Sequence, residues 1–188
     1  VPQLSLKERE AIVTIEGEER LKEALGKGCG VLAVSAHYGN FLLLLCCLGL
    51  KGYPLHVVTR HFRSERLEGV YTGILSRFGV STFPRRHEAA NILKALKNGA
   101  IVGYVLDQNM RAENGVFVNF FGRSASTIKG LGRLAGRYGS PILPAYIVST
   151  PEGRHHIHIG QVMLTEGSKE MKARDRQLTQ YYTTLIEE

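Results

Sequence analysis

Three apolar runs of the sequence are each followed directly by a polar side chain that could take part in proton transfer or anion binding. His37 follows VLAVSA, Arg60 follows LHVVT, and Asp107 and Gln108 follow AIVGYVL. In an open α/β sheet the ligand site lies outside the carboxyl ends of the strands. One polar residue after a strand is expected by chance, but a base, a cation and an acid at three matching positions predict a functional site. A neutral imidazole at position 37 could accept a proton from a substrate hydroxyl.

The three runs are short, continuous and apolar, which is typical of buried strands, whereas apolar residues at spacings of three and four mark helices between them. Residues 11–17 fit either a short strand or a link between helices. The alternation predicts an α/β fold with a mostly parallel sheet and helices on both faces, in a single domain over residues 1–188. Further strands are predicted at 80–83, 141–149 and 155–164, and helices at 16–25, 41–50, 67–78, 88–98, 127–138 and 168–188.

Composition and charge narrow the possible partners. The chain has 188 residues, of which 44% are hydrophobic and 22% charged, so it is neither disordered nor fibrous. The net charge of +7 suggests nucleic acid, phospholipid headgroups, a phosphorylated substrate or an acidic carrier protein, although a merely soluble basic protein fits as well. No P-loop, zinc finger, helix-turn-helix or RNA-binding signature is present, so nucleic-acid binding rests on charge alone.

Membrane and metal signals are weak. The longest apolar run, FLLLLCCLGL at 41–50, is shorter than the roughly 20 residues of a bilayer span and indicates a core helix. HHIH at 155–158 would put His156 and His158 on one strand face, but a third ligand is not evident, so no metal site is predicted.

Several of these segments, in this order and spacing, resemble the bacterial lipid A acyltransferases of the lauroyl/myristoyl type. That family belongs to the wider group of glycerolipid acyltransferases built on a histidine-x4-acid dyad. The resemblance implies a glycerol-3-phosphate acyltransferase-like α/β/α fold. It is carried by SAHYGNF around His37, VVTR ending at Arg60, SRFG with Arg77, the pair Asp107 and Gln108, VFVNFFGRSAST at 116–127, and PILPAY around Pro144.

The resemblance also implies roles for individual residues. In the family the histidine is the general base on an acceptor hydroxyl, which attacks the thioester of an acyl carrier protein or of coenzyme A. His37 would be that base, with Arg77 and Asp107 in or beside the active site. Candidate substrate-binding residues are Asn40, Arg60 and Gln108, and Phe117 and Phe121 could line an acyl channel or belong to the core.

The implied acceptor is an anionic membrane lipid or glycolipid such as a lipid A precursor, and the implied partners are acyl carrier protein and the membrane surface, without nucleic acid. The expected location is the cytoplasmic face of the bacterial inner membrane, with this chain bound peripherally. No metal or tightly bound cofactor is implied. The family usually has an N-terminal membrane anchor, which we expect to be missing here. It also usually has a Trp- and Arg-rich C-terminal segment, which we expect to be missing because the chain contains no Trp.

One position departs from the family pattern. The dyad acid should stand five residues after His37, where the sequence has Leu42, whose side chain cannot accept the imidazole N–H. In serine proteases, loss of the residue that orients the catalytic histidine costs about 10⁴ in rate. Three interpretations follow: a natural member with little activity, an engineered substitution that disables turnover, or another carboxylate, best Asp107, that holds His37. The first two rank above the third, and they leave open a catalytically silent homologue that binds lipid or acyl carrier protein at the membrane surface.

Overall fold

A computed structural model describes residues 12–59, 62, 64–83, 88–164 and 174–188 of the chain. The strands are β1 (Val13–Glu16), β2 (Val31–Ser35), β3 (Leu55–Val57), β4 (Val80–Thr82), β5 (Ile101–Val105), β6 (Gly115–Phe120), β7 (Arg123–Ile128), β8 (Ile142–Ser149) and β9 (His155–Ile159). The helices are α1 (Glu18–Gly26), α2 (Phe41–Leu50), α3 (Glu65–Arg77), α4 (Glu88–Lys97), α5 (Leu131–Tyr138) and α6 (Asp175–Glu187), with a short 3₁₀ helix at Ala112–Asn114.

Seven strands form one sheet in the order β1-β9-β8-β2-β5-β3-β4. β8, β2, β5, β3 and β4 run parallel to one another, whereas β9 is antiparallel to β8 and pairs in parallel with β1. The carboxyl ends of the five parallel strands therefore meet at one edge of the sheet. The predicted α/β architecture with a mostly parallel sheet is confirmed.

Helices cover both faces of the sheet, which explains why its central strands are apolar on both sides. On one face α1, α2 and α3 pack through buried side chains such as Leu21, Leu44 and Leu75. On the other face α4, α5 and α6 pack through Leu96, Leu131 and Tyr182. Full burial of one such side chain contributes about 1.5–3 kcal/mol, so the two layers fix the strands firmly.

β6 and β7 form a separate antiparallel hairpin, and this region differs from the sequence prediction. The helix predicted at 127–138 begins only at Leu131, because Thr127 and Ile128 belong to β7 and pair with β6. The buried Thr127 hydroxyl donates to the carbonyl of Leu106, which ties the hairpin to the end of β5. Gly130, with φ of 111°, then turns the chain into α5.

Other boundaries shift by a few residues. The ambiguous segment at 11–17 contains β1, and the strand predicted at 155–164 ends at Ile159, beyond which Met163 makes an isolated bridge to Ile142. The last helix is observed over Asp175–Glu187, and the predicted part at 168–173 lies outside the described residues. Within the described ranges, no helix has both the length and the apolarity that crossing a bilayer requires.

Candidate active site

His37 and Asp107 meet at the carboxyl edge of the sheet. Each lies two residues beyond a strand, and the last residues of those strands, Ser35 and Val105, are paired across β2 and β5. His37 Nδ1 lies 2.9 Å from Asp107 Oδ1, and the backbone N–H of His37 donates to Oδ2 at 2.7 Å. The carboxylate thus holds both the ring and the main chain of one residue, although 70 positions separate the two in sequence.

This contact sets the protonation pattern of the imidazole. An ionised carboxylate only accepts hydrogen bonds, so Nδ1 carries a ring proton, and in the neutral imidazole Nε2 then has the lone pair. The side-chain amide nitrogen of Gln108 lies 3.4 Å from Nε2. The ring of Phe41 meets the imidazole edge-on, with centroids 5.0 Å apart. A neutral imidazole held in this way can take a proton from a hydroxyl placed at Nε2.

The turn between His37 and α2 depends on two small residues. Gly39 has φ of +56°, and a Cβ there would lie 2.5 Å from the carbonyl oxygen of Ile147, so a side chain at this position would be strained and would clash. Asn40 caps α2, since its side chain accepts from the backbone N–H of Leu43 at 3.2 Å. Such a cap contributes about 1 kcal/mol. The structure therefore gives Asn40, a predicted substrate-binding residue, a role in positioning the turn.

Leu42, where the dyad acid is expected, is the second residue of α2 and is exposed. The partner of His37 Nδ1 is Asp107. Of the three interpretations of Leu42, the geometry favours the lowest ranked, in which another carboxylate holds the histidine. The reason is the pairing of β2 with β5, which brings position 107 opposite position 37.

An apolar cavity of about 230 Å³ opens beside His37, between α2, β3 and α3. We call it the α2–α3 cavity. Phe41 and Leu45 line it from α2, Val57 from β3 and Tyr71 from α3. Gln108 contributes a polar side chain near its His37 end. Most of its lining is apolar, as is usual for sites that bind organic ligands.

A second cavity, of about 460 Å³, lies on the Asp107 side, between the loop after β5 and the β6–β7 hairpin. We call it the hairpin cavity. Its lining mixes polar side chains, among them Asn109 and Ser124, with the aromatic rings of Phe117 and Phe120. Gln108 lines both cavities, so the histidine–aspartate pair lies between two compartments.

The remaining predicted site residues are scattered. Arg60 lies outside the described residues. Arg77 is the exposed last residue of α3, and since that helix runs back from the carboxyl edge over about 20 Å, it ends near the amino end of β4, away from His37. Phe117 lines the hairpin cavity, whereas Phe121 is exposed at the hairpin turn and belongs to the lining of neither cavity.

The apolar cavity was missed at the sequence level. Phe41, Leu44 and Leu45 were interpreted only as part of a core helix, yet three of the side chains that face His37 come from this run. Their position directly after the histidine turn was the available signal. The contributions of Val57 and Tyr71 had no sequence signal, because they depend on how β3 and α3 pack.

Two histidines of β9 contact side chains of the neighbouring strand β1. His156 Nδ1 lies 2.7 Å from the Thr14 hydroxyl, and His158 Nδ1 lies 3.0 Å from a carboxylate oxygen of Glu16. In the part of the chain that the structure describes, no group of three His, Cys, Asp or Glu side chains is arranged to hold a metal ion.

Comparison with known proteins gives a consistent result. The chain matches the profile of the family described as bacterial lipid A biosynthesis acyltransferase over residues 1–188. It is 22% identical over 175 residues to a protein of Haemophilus influenzae named lipid A biosynthesis acyltransferase. The match covers 92% of this chain and 55% of that protein, so the chain spans about half the length of the curated relative.

Proposed function

The chain belongs to the bacterial lipid A biosynthesis acyltransferase family, and from this premise we propose that it transfers a fatty acyl group from an acyl thioester to a hydroxyl of a membrane glycolipid. The observation that carries the proposal is the His37–Asp107 pair between two cavities, both lined mainly by apolar surface. The reaction needs a base at the hydroxyl, an apolar site for the acyl chain and a polar site for the acceptor.

The proposed base is Nε2 of His37. As the acceptor oxygen attacks the thioester carbonyl, its proton passes to Nε2, and the new C–O bond forms. The C–S bond then breaks, and the departing sulfur takes the proton from the imidazolium. Asp107 keeps Nδ1 protonated and stabilises the imidazolium that forms between the two steps, as a carboxylate does in hydrolytic triads.

The α2–α3 cavity is the proposed site of the acyl chain. Its aromatic and aliphatic walls favour a hydrocarbon over water, since each buried methylene contributes about 0.8 kcal/mol. Because His37 lines the same cavity, an acyl chain inside it would present its thioester carbonyl near Nε2. This assignment replaces Phe121 as an acyl-channel candidate and leaves Phe117 to the acceptor side.

The hairpin cavity is the proposed site of the acceptor sugar. Its amide and hydroxyl side chains can bind sugar hydroxyls, and the rings of Phe117 and Phe120 can pack on the less polar faces of a sugar. The net charge of +7 suits a phosphorylated glycolipid and an acidic carrier protein as donor. Coenzyme A is the alternative donor, and no metal or tightly bound cofactor takes part.

The wider setting follows from the same proposal. Residues 1–188 act as one acyltransferase domain with a glycerol-3-phosphate acyltransferase-like arrangement of layers. The proposed location of the chain is the cytoplasmic face of the bacterial inner membrane, with peripheral binding, and it fits a family that acts in lipid A biosynthesis.

A labelled acyl-thioester assay tests the proposal. The chain is supplied with acyl carrier protein or coenzyme A thioesters, together with a glucosamine-based glycolipid in vesicles, and labelled lipid product is measured. We expect transfer by the wild-type chain and a loss of about 10³-fold or more in His37→Ala, because the base is removed. A wild-type chain that transfers nothing from either donor, or a His37→Ala variant with full activity, contradicts the proposal.

The second candidate is a catalytically silent homologue that binds lipid or acyl carrier protein, and Leu42 is the observation in its favour. It predicts saturable binding of carrier protein or glycolipid vesicles without turnover. It also predicts that Leu42→Glu gains measurable transfer, since the variant restores the family acid. An active wild-type chain rejects this candidate.

A further inference from the structure

Helix α3 carries large apolar side chains on its solvent side. Leu67, Val70 and Ile74 are 58%, 62% and 50% exposed. Their spacings of three and four place them in one stripe along the helix. The adjoining side of α3 packs into the core through Leu75, with the half-buried Tyr71 between it and the stripe. Single exposed apolar residues are common, but an aligned stripe on an otherwise packed helix marks an interaction surface. We call Leu67, Val70 and Ile74 the α3 apolar face.

Basic residues flank one side of this face. At 100° per residue, Arg66 and Arg77 lie beside the stripe, near the two ends of the helix, and both are exposed. Arginine side chains at such positions lay their apolar stems along the membrane and keep the charged head among lipid headgroups. An apolar stripe bordered by cations is typical of helices that lie in a bilayer interface.

The other side of the face continues into the α2–α3 cavity. Tyr71 lies on that border and lines the cavity. Phe62, which is also exposed, lines the same cavity and contacts Tyr71 with ring centroids 5.4 Å apart. An apolar path therefore runs from the outer face of α3 past these two rings towards His37. A hydrocarbon chain could follow this path along mainly apolar surface.

We propose that the α3 apolar face inserts into the surface of an anionic phospholipid bilayer and that the α2–α3 cavity opens toward the lipid there. The choice of lipid as occupant rests on the proposed function, and it is supported by the net charge of +7 and by the flanking arginines. A second copy of the chain is a poorer occupant. A stable protein interface takes roughly 20–30 residues a side, far more than this stripe supplies, whereas insertion of a few side chains suffices for reversible membrane binding.

Vesicle cosedimentation without any acyl donor tests the surface. The wild-type chain is expected to bind vesicles of phosphatidylglycerol and phosphatidylcholine more tightly than vesicles of phosphatidylcholine alone. The triple variant Leu67→Gln, Val70→Gln, Ile74→Gln should weaken binding about tenfold or more, because three apolar side chains no longer insert. Replacing Arg66 and Arg77 by Gln should reduce the preference for anionic vesicles by about fivefold per arginine.

A matched single substitution separates this face from general surface hydrophobicity. Val70 and Leu164 are 62% and 61% exposed, but Leu164 follows Met163 at the amino end of β8, away from the cavity. Val70→Gln should weaken vesicle binding several-fold, and Leu164→Gln should leave it unchanged. The thermal midpoint of each variant checks that the fold is retained.

Three results would overturn the proposal. They are a wild-type chain that does not bind anionic vesicles, equal effects of Val70→Gln and Leu164→Gln, and a dimer in size-exclusion chromatography that Val70→Gln converts to monomer. The last result would assign the face to a second copy. Since no donor is present, an inactive chain that binds vesicles through α3 keeps this surface while rejecting the acyltransferase proposal.

Discussion

Among the residues that the structure describes, two histidine–carboxylate pairs have nearly the same nitrogen–oxygen distance. His37 Nδ1 lies 2.9 Å from Asp107 Oδ1, and His158 Nδ1 lies 3.0 Å from Glu16 Oε2. Distance therefore does not distinguish a candidate catalytic pair from a surface contact.

The surroundings of the two carboxylates differ. The Asp107 side chain is 19% exposed and also accepts from the backbone of His37, whereas the Glu16 side chain is 72% exposed on the edge strand β1. An exposed pair is screened by water and contributes little. His158 stacks on Tyr146 and lines neither cavity, while His37 faces an apolar cavity. His37 is therefore the better candidate, because its carboxylate partner makes two hydrogen bonds to it and because a cavity adjoins the pair.

The largest change in transfer rate is expected when the carboxylate of the His37 pair, and not that of the His158 pair, is replaced. Asp107→Asn should lower the transfer rate by about 10³–10⁴, because an amide no longer stabilises the imidazolium or the tautomer with a free Nε2. Glu16→Gln is the matched control and should leave the rate unchanged. Steady-state rates of labelled transfer measure both, and equal losses in the two variants would show that the pairs are not functionally different.

The two cavities should respond differently to filling. Leu45→Phe narrows the α2–α3 cavity and should shift preference toward shorter acyl chains by about tenfold, since a mismatch of one or two methylenes costs 1–3 kcal/mol. Ser124→Leu fills the hairpin cavity and should raise KM for the glycolipid while leaving acyl preference unchanged. Competition between acyl donors of different length measures the first effect. A change of acyl preference in Ser124→Leu would instead place the acyl chain in the hairpin cavity.

A smaller effect is expected at the family's dyad position. Leu42→Glu should change the transfer rate by less than about threefold, because Asp107 already engages His37 Nδ1. The new acid lies in the first turn of α2, where the helix dipole favours it by about 0.3–1 kcal/mol, so the thermal midpoint should not fall. A gain in rate of 100-fold or more would show that Asp107 does not serve as the orienting acid.

The smallest effect concerns a carboxylate with a purely structural role. Burial alone would raise the pKa of Glu18, but hydrogen bonds from Tyr53 and Lys51 outweigh it and lower that pKa below its ordinary value of 4.5. A lowered folded pKa means that the charged form stabilises the fold above pH 4.5 and that this contribution is lost as the pH falls. Glu18→Gln should therefore cost about 0.5–1 kcal/mol of unfolding free energy at pH 7 and nearly nothing at pH 3. Urea unfolding at both pH values measures the difference, and a constant difference would contradict the ion-pair explanation.

The hairpin shows where local reasoning failed. The helix predicted at 127–138 included Thr127 and Ile128, but both side chains are β-branched and both residues pair with β6. The chain turns only at Gly130, whose positive φ separates the strand from the helix. The sequence of β7 alone is a weak predictor of a strand, because the strand is stabilised by its pairing with β6.

The position of Arg77 in the fold was also not predictable from its motif. Its motif matched the family, yet the direction of α3 carries it toward the opposite edge of the sheet. The motif shows that the residue is present, but the helix direction and length decide which groups it can reach.

The amino-acid sequence by itself determined the alternation of strands and helices, the placement of His37 and Asp107 just beyond two strands, and the family. These features are local, since they depend on apolar spacing and on residue types within a few positions. Only the tertiary structure decided that β2 pairs with β5 in a register that brings a carboxylate to the histidine across 70 residues. It also decided that α2, β3 and α3 enclose an apolar cavity beside them. Strand register and helix packing arise from side chains distant in sequence that are buried together, and no local pattern contains that information.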